Sequence, residues 1–202
     1  MSSVQPWMET GKLVTSDESL NRLVKNGVWG MYSNYLSVPT DCPQRDERLG
    51  WAADTQVFAK TGCYNADVYG FLAKWMADMR DSQHEDGGFP GVAPLAQYGN
   101  NGGALGWADA GIIVPHVLWR MFGDTSVLEE NWDAMVKYLD YVEKNKGPNP
   151  EPWGEWLAYE RNDRKIQEYL AHAFGVWDAM MMREMALALG RESDAEKYAA
   201  DE

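Results

Sequence analysis

Residues that support several common kinds of site are scarce in this chain of 202 residues. It has two cysteines, Cys42 and Cys63, and three histidines that lie far apart, His84, His116 and His172. Two cysteines do not make a disulfide framework, and the chain has no Cys-x-x-Cys spacing of the kind that holds zinc. We therefore expect no bound metal, and nothing in the sequence calls for an organic cofactor.

Basic residues and long apolar segments are also few. Lysine and arginine number 18 against 31 aspartates and glutamates, which gives a formal net charge of -13. Nucleic acids and anionic membranes bind basic surfaces, so we expect neither as a partner. No segment is long and apolar enough to cross a bilayer, and the N-terminus lacks the basic and then apolar pattern of a secretory signal. A cytoplasmic location is the expectation, with the compartment otherwise left open.

Tryptophan, in contrast, is abundant, with ten in the chain. Core packing in a helical protein accounts for most of them. The other use of an indole ring is as a flat platform for the apolar face of a sugar. We expect three or four of the ten to have that role.

Apolar residues recur at helical spacing along most of the chain, with little strand signal. Helices are predicted to begin at a capping box over Thr15–Glu18, near Gly50, at Asn65, near Trp107, at Asp124, near Arg164 and at a second capping box over Ser193–Glu196. Polar loops rich in glycine and aromatic residues follow the odd-numbered helices. This alternation favours an all-α toroid of helical hairpins whose longer loops meet at one end. An α-solenoid is the alternative, although the sequence shows no fixed repeat period.

Residues 39–54 carry the densest group of reactive side chains. They comprise four carboxylates, two arginines and a tryptophan: Asp41, Asp46, Glu47, Asp54, Arg45, Arg48 and Trp51. Pro39 and Pro43 disfavour helix in the residues before them, so the first part is predicted to be an extended loop. Carboxylates and arginines bind sugar hydroxyls, an indole covers the ring, and one carboxyl can donate a proton. The alternative is a surface loop held by ion pairs.

The order of residues in this loop favours the sugar site over a surface loop. Asp41–Trp51, Asp-Cys-Pro-Gln-Arg-Asp-Glu-Arg-Leu-Gly-Trp, resembles the catalytic signature of α-L-rhamnosidases of glycoside hydrolase family 78. The resemblance runs from about residue 9 to the end of the chain. It implies a truncated (α/α)6-type barrel with about six or seven helices and an inverting glycosidase. Residues 1–14 are then a linker or N-terminal arm, and residues 15–202 a partial catalytic toroid.

The resemblance also assigns roles to individual residues. The general acid of the family aligns with Glu47, and sugar-binding positions align with Asp41, Arg45, Trp51 and Asp54. Two later segments, Gly106–Asp109 and Trp153–Trp156, are similar to the family's other tryptophan-bearing parts of the sugar site. They add Trp107, Asp109 and Trp156 as substrate-binding residues, and Glu155 stands where an acidic residue is usual.

Inverting hydrolysis needs a protonated carboxyl beside the leaving oxygen and a second carboxylate about 6.5–9.5 Å away to activate water. Crowding by neighbouring carboxylates predicts a raised pKa for Glu47, which suits an acid. The base is less clear, because the family's catalytic base is a glutamate beyond the matched region. Asp54, Asp109, Glu155 or a carboxylate of a partner chain could serve, with Asp54 and Glu155 our candidates.

The sequence departs from the family in two further ways. Ala52 and Ala53 stand where the family commonly has Thr-Gly, and only about half of the barrel's helices are present. Three hypotheses follow: a glycosidase, weakened by the missing base, acting on an α-L-rhamnoside or another glycoside such as a glucuronide; an inactive carbohydrate-binding or interaction module; and an inert fragment. The apolar run Met180–Leu189 either forms an exposed half-barrel face that makes a homodimer or fills an ordinary core.

Overall fold

The computed structural model describes residues 7–97, 102–145 and 164–200. Within these ranges the chain forms seven α-helices: α1 Glu18–Asn34, α2 Ala52–Asn65, α3 Tyr69–Asp81, α4 Ala110–Phe122, α5 Ser126–Lys144, α6 Arg164–Ala188 and α7 Glu192–Ala199. The only β-type pairing in the described ranges consists of isolated bridges. None of the described helices is both long and apolar enough to cross a membrane.

The first residues of α1 and α7 differ from the sequence prediction. The N-cap of α1 is Asp17, whose side chain accepts hydrogen bonds from the backbone N–H groups of Ser19 and Leu20. The predicted capping box at Thr15 is wrong, because the Thr15 hydroxyl contacts Asn21 instead. The second predicted box is also wrong, since α7 begins at Glu192, one residue before Ser193.

Helix α4 lies at the centre of the described fold and packs against α2, α3, α5 and α6. Ile112, Val114 and Leu118 have no exposed surface, as expected for a helix that is apolar on several faces. The helix begins at Ala110 and not at Trp107. The preceding residues form turns instead, with the N–H of Ala108 bonded to the carbonyl of Ala104 at 2.9 Å. This start leaves Trp107 in the loop.

The apolar run in α6 divides between the core and the surface. Met181, Met182 and Met185 are buried, whereas Met180 and Leu187 are 47% and 56% exposed. The run therefore supplies side chains to the core and also leaves some exposed, and the homodimer stays a prediction. The same helix also exposes Trp177 at 47%, so an apolar strip remains on its outer side.

Two loops that are distant in sequence meet at one end of the helices. The loop after α1 pairs with the loop after α3 through an antiparallel bridge between Trp51 and Val92. The N–H of Ala52 bonds to the carbonyl of Gly91 at 2.8 Å, and the N–H of Ala93 to that of Gly50 at 3.0 Å. This junction carries the side chains of the candidate site.

Candidate functional site

The loop that contains the signature is closed by its own residues. The backbone N–H of Asp41 bonds to the carbonyl of Leu49 at 3.0 Å, and an Asp41 carboxylate oxygen accepts from the N–H of Leu49 at 3.2 Å. A side chain at Gly50 would overlap the carbonyl oxygen of Ala93, so this position requires glycine. The loop therefore lies close against the one after α3.

Cys42 lies at the centre of the charged residues. Its thiol is 2.6 Å from a carboxylate oxygen of Asp41 and 3.4 Å from one of Glu47, and it accepts from Nε of Arg45 at 2.9 Å. The Arg45 guanidinium also forms an ion pair of 2.5 Å with Glu47 and a longer one of 3.9 Å with Asp41. The sequence prediction that Asp41, Arg45, Glu47 and Trp51 share one site agrees with this geometry, whereas the central position of Cys42 was missed.

Glu47 has an environment that favours its ionised form. Burial raises its pKa, but hydrogen bonds from the Trp51 indole and the Cys42 thiol, together with the charge of Arg45, outweigh that effect and lower the pKa below its ordinary value of 4.5. The Trp51 indole N–H donates to Glu47 at 2.8 Å. The expected raised pKa is therefore wrong for the free chain, because donors surround this carboxylate more closely than other carboxylates do.

Asp54 lies in the first turn of α2 and is open to solvent. Its pKa is raised above its ordinary value of 3.8 by partial desolvation and by the negative charges of Asp41 and Glu47. Two carboxyls of this site are thus shifted in opposite directions. That separation is typical of sites in which one group holds a proton and another does not.

Trp107 approaches this cluster from the loop after α3. Its ring centroid is 5.2 Å from that of Trp51, with the planes at 73°. Both indoles are half-buried, so they form an aromatic corner beside Glu47. Gln56 of α2, which the sequence reasoning missed, supports the corner by donating to the carbonyl of Gly106 at 2.9 Å.

Asp109 does not face the open site. It has no exposed surface, and its carboxylate accepts from the backbone N–H of Gly106 and lies 3.5 Å from the Tyr138 hydroxyl. A side chain enclosed in this way cannot touch a sugar, which corrects its assignment to substrate binding. Gly106 has a φ of +94°, a conformation suited to glycine, and the bond to Asp109 helps to fix the turn that presents Trp107.

The remaining predicted residues, Glu155 and Trp156, lie outside the described residues. The sequence reasoning also passed over Asp178 on α6, which is fully buried beside Asp109. A signal was available, because Asp178 falls at helical spacing between the buried residues Ala171 and Met182. An acid on the buried face of a helix needs a partner.

Ligand atoms of Asp41, Cys42 and Glu47 lie within 4.8 Å of one another. The arrangement does not favour a cation, however, because the Arg45 guanidinium already forms ion pairs with both carboxylates. Burial and the hydrogen bond to Asp41 raise the pKa of the Cys42 thiol. A protonated thiol is a poor metal ligand.

Comparison with known proteins shows the family. The family model described as bacterial alpha-L-rhamnosidase 6 hairpin glycosidase domain matches residues 8–202. The chain belongs to this α-L-rhamnosidase family. A family member from Formosa agariphila, named alpha-L-rhamnosidase, is 37% identical over 200 residues, which cover 95% of this chain and 22% of that protein.

Solved structures of rhamnosidases show the same arrangement of helices. The crystal structure of the Streptomyces avermitilis α-L-rhamnosidase complexed with L-rhamnose is 38% identical with a TM-score of 0.88, covering 96% of this chain and 19% of that one. The native α-L-rhamnosidase of Aspergillus terreus is 28% identical with a TM-score of 0.84, covering 96% and 24%. The predicted family and the predicted truncated barrel are confirmed. This rhamnosidase-family chain spans about a fifth of the length of such relatives.

Proposed function

We propose that the chain is a glycoside hydrolase module that acts on a terminal α-L-rhamnoside, with Glu47 as the general acid of an inverting hydrolysis. The observation that carries the proposal is the position of Glu47. Its side chain is 28% exposed and lies against the Trp51 indole, next to the corner that Trp51 forms with Trp107. A sugar seated in that corner would place a glycosidic oxygen near the Glu47 carboxyl.

The lowered pKa of Glu47 sets a condition on this role. An acid must be protonated when the substrate is bound, so binding has to weaken a contact that stabilises the carboxylate. Arg45 is the contact most easily exchanged, because its side chain is 63% exposed. If Arg45 leaves Glu47 and hydrogen-bonds to a sugar hydroxyl, Glu47 loses a positive neighbour and its pKa rises. The rate with a saturating substrate should therefore persist to higher pH than kcat/KM.

For the base we retain Asp54 and Glu155. Asp54 is open to solvent, and its raised pKa makes its carboxylate a stronger base once it is ionised. Aryl glycosides with activated leaving groups need little acid assistance, which makes them suitable first substrates.

The test is hydrolysis of methyl and nitrophenyl glycosides, α-L-rhamnoside and β-D-glucuronide included, by the wild type and by Glu47→Gln. Loss of a general acid typically reduces the rate about 10²–10⁴-fold; we expect a loss in that range on the methyl glycosides, whose leaving group is poor, and a smaller loss on the nitrophenyl glycosides. Asp46→Asn is the matched control, because Asp46 is an exposed acid next to Glu47 in the same loop. Equal turnover of a methyl glycoside by the wild type and Glu47→Gln would contradict the assignment.

An inactive sugar-binding module is the second candidate, and the ionised state of Glu47 in the free chain favours it. In that case no glycoside is hydrolysed, while L-rhamnose still changes the fluorescence of Trp51 and Trp107. Absence of both turnover and binding would overturn both functions.

A further inference from the structure

Asp109 and Asp178 form a pair of buried carboxyls at the junction of α4 and α6. Neither has exposed surface. The loop before Asp109 lies against α6, where Leu105 is next to Gly175, and each carboxyl influences the pKa of the other. Neither Asp178 oxygen accepts a hydrogen bond from any N–H or O–H donor. Among the described residues, no lysine, arginine or histidine forms an ion pair with either carboxyl. No positive charge among the described residues therefore balances the pair.

Two adjacent carboxyls that are both buried cannot both be ionised, so the pair must hold a proton. Asp109 already accepts the N–H of Gly106 and lies near the Tyr138 hydroxyl, which favours its ionised form. Asp178 has no such donors. The proton therefore resides on Asp178, whose O–H donates to the Asp109 carboxylate.

From this pair a series of contacts leads to Glu47. The Asp109 carboxylate accepts a hydrogen bond from the N–H of Gly106, and Gly106 directly precedes Trp107. Trp107 packs edge-on against Trp51, and the Trp51 indole donates to Glu47. Each step is a direct contact or a single peptide link.

We propose that Asp178 is a positioning residue that donates a shared proton to Asp109 and thereby fixes the turn that holds Trp107 against Trp51. Asp178 has no exposed surface with which to contact a sugar. Its role for the reaction rests on the proposed function, but its effect on the two indoles does not.

The charge state of the pair predicts a pH dependence. Desolvation raises the pKa of Asp109 to about 6 and that of Asp178 well above its ordinary value of 3.8. Among the described residues, the other titratable group that faces the pair is Tyr138 of α5, which in turn lies next to Tyr141 of the same helix. A raised carboxyl pKa gives stability that is complete below pH 3.8 and is lost as the pH rises through the folded pKa. The wild type should therefore lose stability from about pH 4 upward relative to Asp178→Asn, which removes one of the two acids.

The direct test reads the exciton couplet of the Trp51–Trp107 pair by circular dichroism in the 202-residue chain, without substrate. Trp51→Phe gives the signal without the pair. Asp178→Asn keeps a donor to Asp109 and should retain the couplet, whereas Asp178→Leu has no donor and should lose it. Glu184→Gln is the matched control on α6, because Glu184 is 53% exposed and pairs with His116 at the surface.

An unchanged couplet in Asp178→Leu, or its loss in both variants, would overturn the proposal. If Asp178→Leu does not fold, thermal unfolding of the wild type and Asp178→Asn between pH 4 and 8 decides. A difference in Tm that widens with rising pH supports the shared proton, and a constant difference contradicts it. Neither readout requires turnover, so failure of the proposed function leaves both results interpretable.

Discussion

Trp51 acts on Glu47 through a single hydrogen bond between its indole Nε1 and a carboxylate oxygen 2.8 Å away. Trp51→Phe keeps an aromatic ring and removes that donor. Because the bond stabilises the ionised form, the pKa of Glu47 should rise in the variant. The change is measured by NMR titration of the Glu47 carboxyl carbon.

The sign of the stability effect follows from the same bond. A lowered carboxyl pKa contributes stability that is present above the ordinary value of 4.5 and is lost as the pH falls through the folded pKa. The part of the cost of Trp51→Phe that comes from this bond should therefore be complete at neutral pH and disappear in acid. Trp29→Phe is the control, since Trp29 is exposed on α1 and packs on Tyr32. A Glu47 pKa that is equal in the wild type and Trp51→Phe would rule out the bond as its cause.

At the scale of the helices, one glycine in α4 and one in α1 differ in how closely they are packed. A methyl group at Gly111 would overlap the ring of Phe89, which is fully buried. Overpacking of this kind costs about 1–3 kcal/mol. At Gly27 a methyl group meets no atom within 4 Å, and replacing a mid-helix glycine by alanine stabilises by about 0.5–1 kcal/mol.

We expect Gly111→Ala to lower and Gly27→Ala to raise the free energy of unfolding, as measured by urea denaturation monitored by circular dichroism. Each variant is the other's control, because both introduce the same methyl group into a helix. Stabilisation by Gly111→Ala would mean that α4 and the loop with Phe89 are packed less closely than described.

The helices were predictable from sequence because their apolar residues recur with the helical period. Their ends were less so, since Thr15 and Asp17 are both capping residue types, and the structure shows that Asp17 accepts from the first turn of α1 while Thr15 contacts Asn21. The signature placed Asp41, Arg45, Glu47 and Trp51 together because they are close in sequence. The pair Asp109 and Asp178 was not predictable as a contact, because 68 residues, including all of α4 and α5, separate the two.

At the scale of the whole molecule, the exposed apolar residues of α6 bear on assembly. Those with at least 40% exposure are Ile166, Tyr169, Val176, Trp177, Met180 and Leu187. Contiguous apolar surface of this kind is commonly an interface. The homodimer remains a prediction, with the α6 faces of two copies covering each other.

Sedimentation velocity at micromolar concentration is the measurement. Each copy carries a formal net charge of -13, so the copies repel, and association should strengthen as salt screens that repulsion. Trp177→Glu should weaken the dimer, and Val57→Glu is the control, because Val57 is 78% exposed on α2. A wild type that stays monomeric at every salt concentration would exclude this interface.

The signature loop and the buried acid pair differ in how recombination transfers them. One continuous segment, residues 41–51, contains Asp41, Cys42, Arg45, Glu47 and Trp51. Recombination with no breakpoint in this segment therefore transfers all five residues together. Asp109 and Asp178 are separated by 68 residues, and a breakpoint between them can join an acid from one parent to an apolar residue from the other. Chimeras between family members should thus keep or lose the aromatic corner according to whether both parents have the acid pair.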